Sequence, residues 1–295
     1  MKNYLLLFAT FIALSVAGQT PCSITELGPL MGTSNSEARI NLYAKLKIKA
    51  LPAGTDRTTI SVTVPALIDL LAKINDVPDC NGVRAYFAVD LTPGAAEAGK
   101  MTVIFVATTS QPEGNVDNLK YCFVLKENAP VATSLSSDEA SKWVSNFQDG
   151  ENSKYSQFNR DGVVYNSGKS YTETKSLWYD IKTFTDQPGG LLYYLRCPDT
   201  HFKSANITFG AFGIITENKN YEYHLTILFC FERDKVPAEE KDIRLSFTQK
   251  RNGFAKSGIE PRDLFNSSDY VDTGVPCPPY PDSSNKCPGS SLPLE

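Results

Sequence analysis

Hydrophobic and polar residues alternate along this chain in two rhythms. The first has a period of two. Ile40, Leu42, Ala44, Leu46, Ile48 and Ala50 alternate with Asn41, Tyr43, Lys45, Lys47 and Lys49. That predicts a half-buried strand with a basic outer face, a form that guards a sheet edge against aggregation. The same alternation sets Val83, Ala85, Phe87 and Val89 against Arg84, Tyr86 and Ala88. It also sets Tyr223, Leu225, Ile227, Phe229 and Phe231 against His224, Thr226, Leu228 and Cys230. Both runs read as strands. The second rhythm is helical. Leu67, Ile68, Leu71 and Ile74 form one apolar face, behind a capping Thr63 and a first-turn Pro65 that needs no amide donor. Ala140, Trp143, Val144 and Phe147 repeat helical spacing after Ser136 and Glu139, which are spaced as a capping box.

Shorter β-branched or continuous apolar runs predict strands at 58–62, 101–107, 119–126, 206–216 and 243–247, with Gly210 and Gly213 as bulge sites. Residues 149–169 are polar and carry three glycines, which marks a boundary. Beyond it, Leu177, Trp178, Ile181 and Phe184 reproduce the spacing of Leu67, Ile68, Leu71 and Ile74. Residues 191–196 then follow as 83–89 do, with Tyr194 in the place of Tyr86. The pattern predicts an α+β fold of two diverged copies of one unit, each a helix with a mainly antiparallel sheet. The copies span residues 19–149 and 150–275. Residues 276–295 hold six prolines and several serines, and read as an extended tail.

Composition adds compartment. Residues 1–18 have the order of a signal peptide: Lys2, an apolar run from Leu5 to Val16, then small residues to Gly18. The apolar run is too short to span a bilayer, and no later stretch is long and apolar enough to do so. An exported chain with no transmembrane segment after cleavage is expected. Pro21 before Cys22 argues against lipidation there. The net charge of −4 comes from mixed acidic and basic residues without a basic stripe, so nucleic acid is not an expected partner. An extracellular ligand or cell-surface partner fits the compartment. Seven cysteines in an exported chain permit disulfides, and the odd count leaves at least one thiol over. Cys122 and Cys230 sit in apolar runs and read as small buried hydrophobes. Cys277 and Cys287 lie in the tail, ten positions apart, and are the expected disulfide.

Two motifs stand out: Cys80-Asn-Gly-Val-Arg-Ala-Tyr-Phe87 after a helix, and Asp272-Thr-Gly-Val-Pro-Cys-Pro-Pro279 near the end. On them the chain resembles a recurrent bacterial family of uncharacterised proteins, over about half its length. The resemblance implies a compact α+β fold and no particular activity. The signal peptide and the second unit depart from that family's pattern.

Known chemistries find little purchase. His201 and His224 are the two histidines, and neither stands in a Gly-x-Ser-x-Gly or Cys/His/Asn arrangement. Cys197, His201, His224 and Cys230 lack the paired spacing of zinc ligands, so no metal is expected. No Walker or dinucleotide fingerprint occurs, and no cofactor is expected. Arg84, Tyr86 and Asp90 fall on one strand face. Arg84 and Tyr86 could recognise a carboxylate or stack on a sugar; alternatively Arg84 pairs with a nearby acid and Tyr86 packs beneath a helix. The sequence favours a non-catalytic binding or structural module. A hydrolase with an acidic site and a carbohydrate-binding module are the alternatives.

Overall fold

The computed structural model describes residues 30–31, 33–48, 51, 56–111, 114–148, 174–187, 190–196, 202–211, 224–233, 268–271 and 275–277. In chain order these form β1 (Leu30–Met31), α1 (Thr33–Leu46), β2 (Thr59–Val62), α2 (Val64–Asn75) and β3 (Cys80–Val89). Next come β4 (Met101–Gln111), β5 (Gly114–Val124), β6 (Thr133–Leu135), α3 (Ser137–Gln148) and β7 (Ser176–Asp180). A 3-10 turn at Ile181–Thr183 leads to α4 (Leu191–Arg196), β8 (Phe202–Ala211), β9 (Leu225–Arg233), β10 (Ser268–Val271) and β11 (Val275–Cys277). The expected signal peptide, the 149–169 boundary, the 243–247 strand, His201, Cys287 and the rest of the tail after Cys277 lie outside the described residues.

The fold is α+β, with two antiparallel sheets. One runs β11-β7-β3-β4-β5-β6 and the other β1-β10-β9-β8-β2. Their inner faces share one core. Phe105 meets Phe229 at 6.2 Å between ring centroids, and Phe87 meets Phe209 at 6.4 Å. α1, α2 and α4 close on the same core through Tyr43, Leu67, Leu70, Leu71, Ile74, Leu192 and Leu195. α3 covers the opposite face of the six-stranded sheet, where Trp143 and Val144 pack on Tyr86, Ala88, Ile104 and Val106.

Several elements form where the patterning places them. Thr63 Oγ1 accepts from the Ala66 amide at 3.1 Å and caps α2, with proline in its first turn. Ser136 and Glu139 make the reciprocal capping box of α3: the Glu139 amide donates to Ser136 Oγ, and the Ser136 amide donates to Glu139 Oε2 at 2.9 Å. β3 alternates as predicted. Val83, Ala85, Phe87 and Val89 enter the shared core, while Tyr86 and Ala88 face α3. Both faces are covered, so the strand is buried throughout its central part.

Three elements differ from expectation. Residues 40–48 do not form a strand, and 49–50 lie outside the described residues; Ile40–Leu46 belong to helix α1. There burial falls on Tyr43 and Lys47, four residues apart, while Asn41 and Lys45 are exposed. Ala, Leu, Glu and Lys are strong helix formers, and here propensity prevails over alternation. Leu177 and Trp178 lie in a strand, β7, and not in a helix. Antiparallel pairing with β3 sets Trp178 opposite Arg84, and turns Leu177 and Tyr179 into the core. Residues 191–196 are helical, not extended, with Leu191, Leu192, Tyr194 and Leu195 buried at helical spacing.

These exchanges remove the basis for pairing the two halves. Tyr86 sits in a central strand, while Tyr194 sits in a short helix. The sheets also interleave the segments: β7 extends the sheet of β3, and β2 pairs with β8. The α+β class is present; a duplication is not shown.

Candidate ligand-binding cavity

Arg84 and Tyr86, the residues singled out by sequence, are buried and converge on one carboxylate. Arg84 Nε donates to Asp117 Oδ1 at 2.8 Å, and Arg84 also donates to the Asn115 carbonyl at 2.9 Å. The Tyr86 hydroxyl donates to Asp117 Oδ2. The Arg84 and Asp117 side chains are 2 % and 0 % exposed. Beside them Asn81 donates to Asn115 Oδ1 and Ser110 Oγ, each at 2.6 Å, and Trp178 Nε1 donates to Thr108 Oγ1 at 3.1 Å. This network ties β3, β4, β5 and β7 together.

Asp117 was not legible in sequence. It lies in Gly114-Asn-Val-Asp-Asn118, a polar run that the apolar signal of β5 misses. A bulge between Val106 and Thr108 shifts register there and sets Asp117 opposite Thr108. One signal was available: a buried arginine requires a carboxylate on a neighbouring strand.

The third residue of that face, Asp90, leads elsewhere. It follows β3 at the other end of the sheet, where β4 begins and β5 ends. A cavity of about 370 Å³ opens there, lined by Arg57, Asp90, Glu97, Lys100, Lys126 and Glu127, with Trp143 and Val124 among its apolar walls. Arg84 and Tyr86 do not line it.

The walls are fixed by short-range bonds. The 90–100 loop closes where the Gly99 amide donates to the Asp90 carbonyl at 2.7 Å. Gly94 and Gly99 adopt φ of 81° and 76°, a region that favours glycine. Asp90 Oδ1 accepts from the Thr92 amide at 2.8 Å, an Asx turn. The opposite wall is the 125–132 loop. The Asn128 amide donates to the Ser61 carbonyl at 2.9 Å, Thr63 Oγ1 to the Ala129 carbonyl at 2.9 Å, and the Ala132 amide to Asp69 Oδ2 at 2.9 Å. Asn146 of α3 donates to the Val89 carbonyl at 3.0 Å and holds the helix over the strand end.

Arg57 clasps the two loops together. Its Nε donates to the Met101 carbonyl at 3.0 Å, and its guanidinium pairs with Glu97 and, at 3.4 Å, with Glu127. Glu97 also faces Lys100 at 3.8 Å. Among the described residues Asp90, 8 % exposed, forms no ion pair, and neither does exposed Lys126.

No family model, curated protein or solved structure matches this chain. Among the described residues there is no group of three or more His, Cys, Asp or Glu placed to hold a metal ion. No helix among them is long and apolar enough to cross a membrane. His224 is buried immediately before β9. Cys122 and Cys230 are buried and free, and Cys80 is free and half-buried. Burial pushes the Cys122 and Cys230 thiols up to about 12, helped at Cys122 by the charge of Asp117. Those are the properties of packing residues rather than nucleophiles.

Proposed function

We propose that this chain is an exported, non-catalytic binding module whose ligand site is the cavity at the Asp90 end of the six-stranded sheet. The observation that carries the reading is the cavity itself. It combines an apolar wall containing Trp143 with six charged side chains held by fixed loops. Concave sites with a few placed polar groups are the usual form of small-ligand sites, and a volume of roughly 300–1,000 Å³ is typical of them. The signal-like start of the sequence supports export. The motif shared with the resembled bacterial family fits a structural role, since Gly82, Arg84 and Tyr86 all serve the buried network.

The acidic-hydrolase reading draws on the three carboxylates that line the cavity, Asp90, Glu97 and Glu127. Against it, Glu97 and Glu127 are both tied to Arg57. An acid–base pair needs two carboxyl groups facing each other across a substrate.

The test is ligand-detected binding of a broad small-molecule panel to the purified chain, repeated on Ala96→Trp. Ala96 is exposed on the cavity wall, so the indole should fill the mouth without touching the core. Binding lost in that variant supports the site. Binding that survives it, or turnover of any bound compound, overturns the reading.

A further inference from the structure

We infer that the cavity takes a small zwitterion, with its ammonium at Asp90 and its anionic group at Lys126. This rests on the cavity being the ligand site and names the ligand's chemical class. The argument is one of charge. Three cations and three carboxylates line the cavity. Arg57, Lys100, Glu97 and Glu127 form a connected set of ion pairs and neutralise one another. What remains is one carboxylate and one ammonium, Asp90 and Lys126; among the described residues neither is within ion-pair distance of an opposite charge, although the charge of Lys126 reaches the exposed Glu139 of α3.

Asp90 is the more demanding of the two. The residue is 8 % exposed, its Oδ1 accepts from the Thr92 amide, and it lines the cavity. A carboxylate so placed is costly unless a cation joins it. A ligand ammonium supplies that cation. Trp143 lines the same cavity, and an indole face attracts an ammonium. Lys126 is exposed, so it meets the opposite end of the ligand while staying solvated. A neutral sugar would donate hydroxyls to Asp90 without balancing its charge. An amine alone would leave Lys126 with only the exposed Glu139 to answer it, and an acid alone would add a second anion near Asp90. A molecule carrying both charges satisfies both residues, and the balanced wall favours no net charge.

The experiment is calorimetric titration of the full purified chain with free amino acids of graded side-chain size. The amine and the carboxylic acid corresponding to each, and a set of neutral sugars, complete the panel. At least one amino acid should bind saturably, and its amine and acid should each bind about tenfold more weakly or worse, the scale of one charge-assisted contact. Asp90→Asn and Lys126→Met should each weaken the amino acid by a similar factor. Asn keeps an oxygen for the Thr92 amide, so the turn should persist, and a thermal melt checks it. If Asp90→Asn does not fold, exposed Lys126 carries the test alone. A sugar, amine or acid that binds as tightly as any amino acid, with binding lost in Ala96→Trp, overturns the zwitterion and leaves the ligand site standing. Amino-acid binding indifferent to both charge variants also overturns it. No binding by any probe overturns both.

Discussion

Trp178 lies flat across Gly82. A Cβ built at position 82 would come within 2.6 Å of three atoms of the indole. The glycine is therefore a surface that receives a ring, and the ring in turn donates to Thr108, which donates to Asn81 Oδ1 at 2.8 Å. Gly82→Ala should destabilise the protein by about 1–3 kcal/mol, the usual cost of forcing a methyl into occupied space. Adding Trp178→Leu should recover part of that loss, because the clash disappears with the ring. Urea unfolding of the two single variants and the double variant reads this directly. Strictly additive losses would show that the indole does not occupy the position above Gly82.

Arg84 and Asp117 should show the asymmetry of a buried ion pair. Removing either partner leaves the other charged, desolvated and unbalanced. Arg84→Met or Asp117→Asn should each cost about 3–5 kcal/mol, and the double variant less than the sum. Arg84→Lys should not restore the wild-type stability, since one ammonium cannot keep the guanidinium's directed bonds to both Asp117 and the Asn115 carbonyl. Chemical denaturation of the four proteins measures the coupling, and a coupling near zero would mean that the pair is solvated.

What the sequence disclosed follows from how local each determinant is. The caps at Thr63 and Ser136 depend on neighbours three residues away, and both were readable. The two-faced burial of β3 was readable because its alternation lies inside one strand. The exchange of helix and strand at 177–184 and 191–196 was not. Leu-Trp-Tyr-Asp and Leu-Leu-Tyr-Tyr-Leu-Arg are short, and either period fits them; the choice is made by whether β3 offers an open edge, which is a tertiary fact. The cavity was hidden for the same reason. Asp90 was visible on its strand face, but Arg57, Glu97 and Glu127 come from three separate connections that only the folded sheet end assembles.

Glu139 gives a pH signature for α3. The Ser136 backbone amide, then its hydroxyl, hold the Glu139 carboxyl below its ordinary value, with a smaller contribution from Lys126. A depressed carboxylate contributes stability above the unfolded value of about 4.3, and that contribution is lost as pH falls through the lower folded value. Ser136→Ala removes the hydroxyl and keeps the amide, so the Glu139 midpoint should rise only part of the way toward normal. Side-chain carboxyl chemical shifts followed through an acid titration measure it. No movement on substitution would show that the hydroxyl plays no part in the cap.

Cysteine reactivity should divide the seven thiols into two groups. Cys80, Cys122 and Cys230 are free in the described structure. Burial raises all three, Cys122 and Cys230 to about 12, so little reactive thiolate is present at pH 8. In the native protein Cys122 and Cys230 should resist iodoacetamide until denaturant is added. That leaves Cys22, Cys197, Cys277 and Cys287, an even number that can pair completely. We propose Cys277–Cys287 as one bridge. The backbone of β11 already anchors Cys277 opposite Ser176 of β7, so the bridge would fold the following prolines back toward an ordered edge. A loop this short should contribute at most about 2–3 kcal/mol. The rival arrangement joins Cys277 to Cys22 or Cys197 and ties the tail to the body. Peptide mapping without reduction separates the two by mass. Cys277 and Cys287 both alkylated in the unreduced, denatured chain would exclude either bridge, and would weaken the case for an oxidising compartment with it.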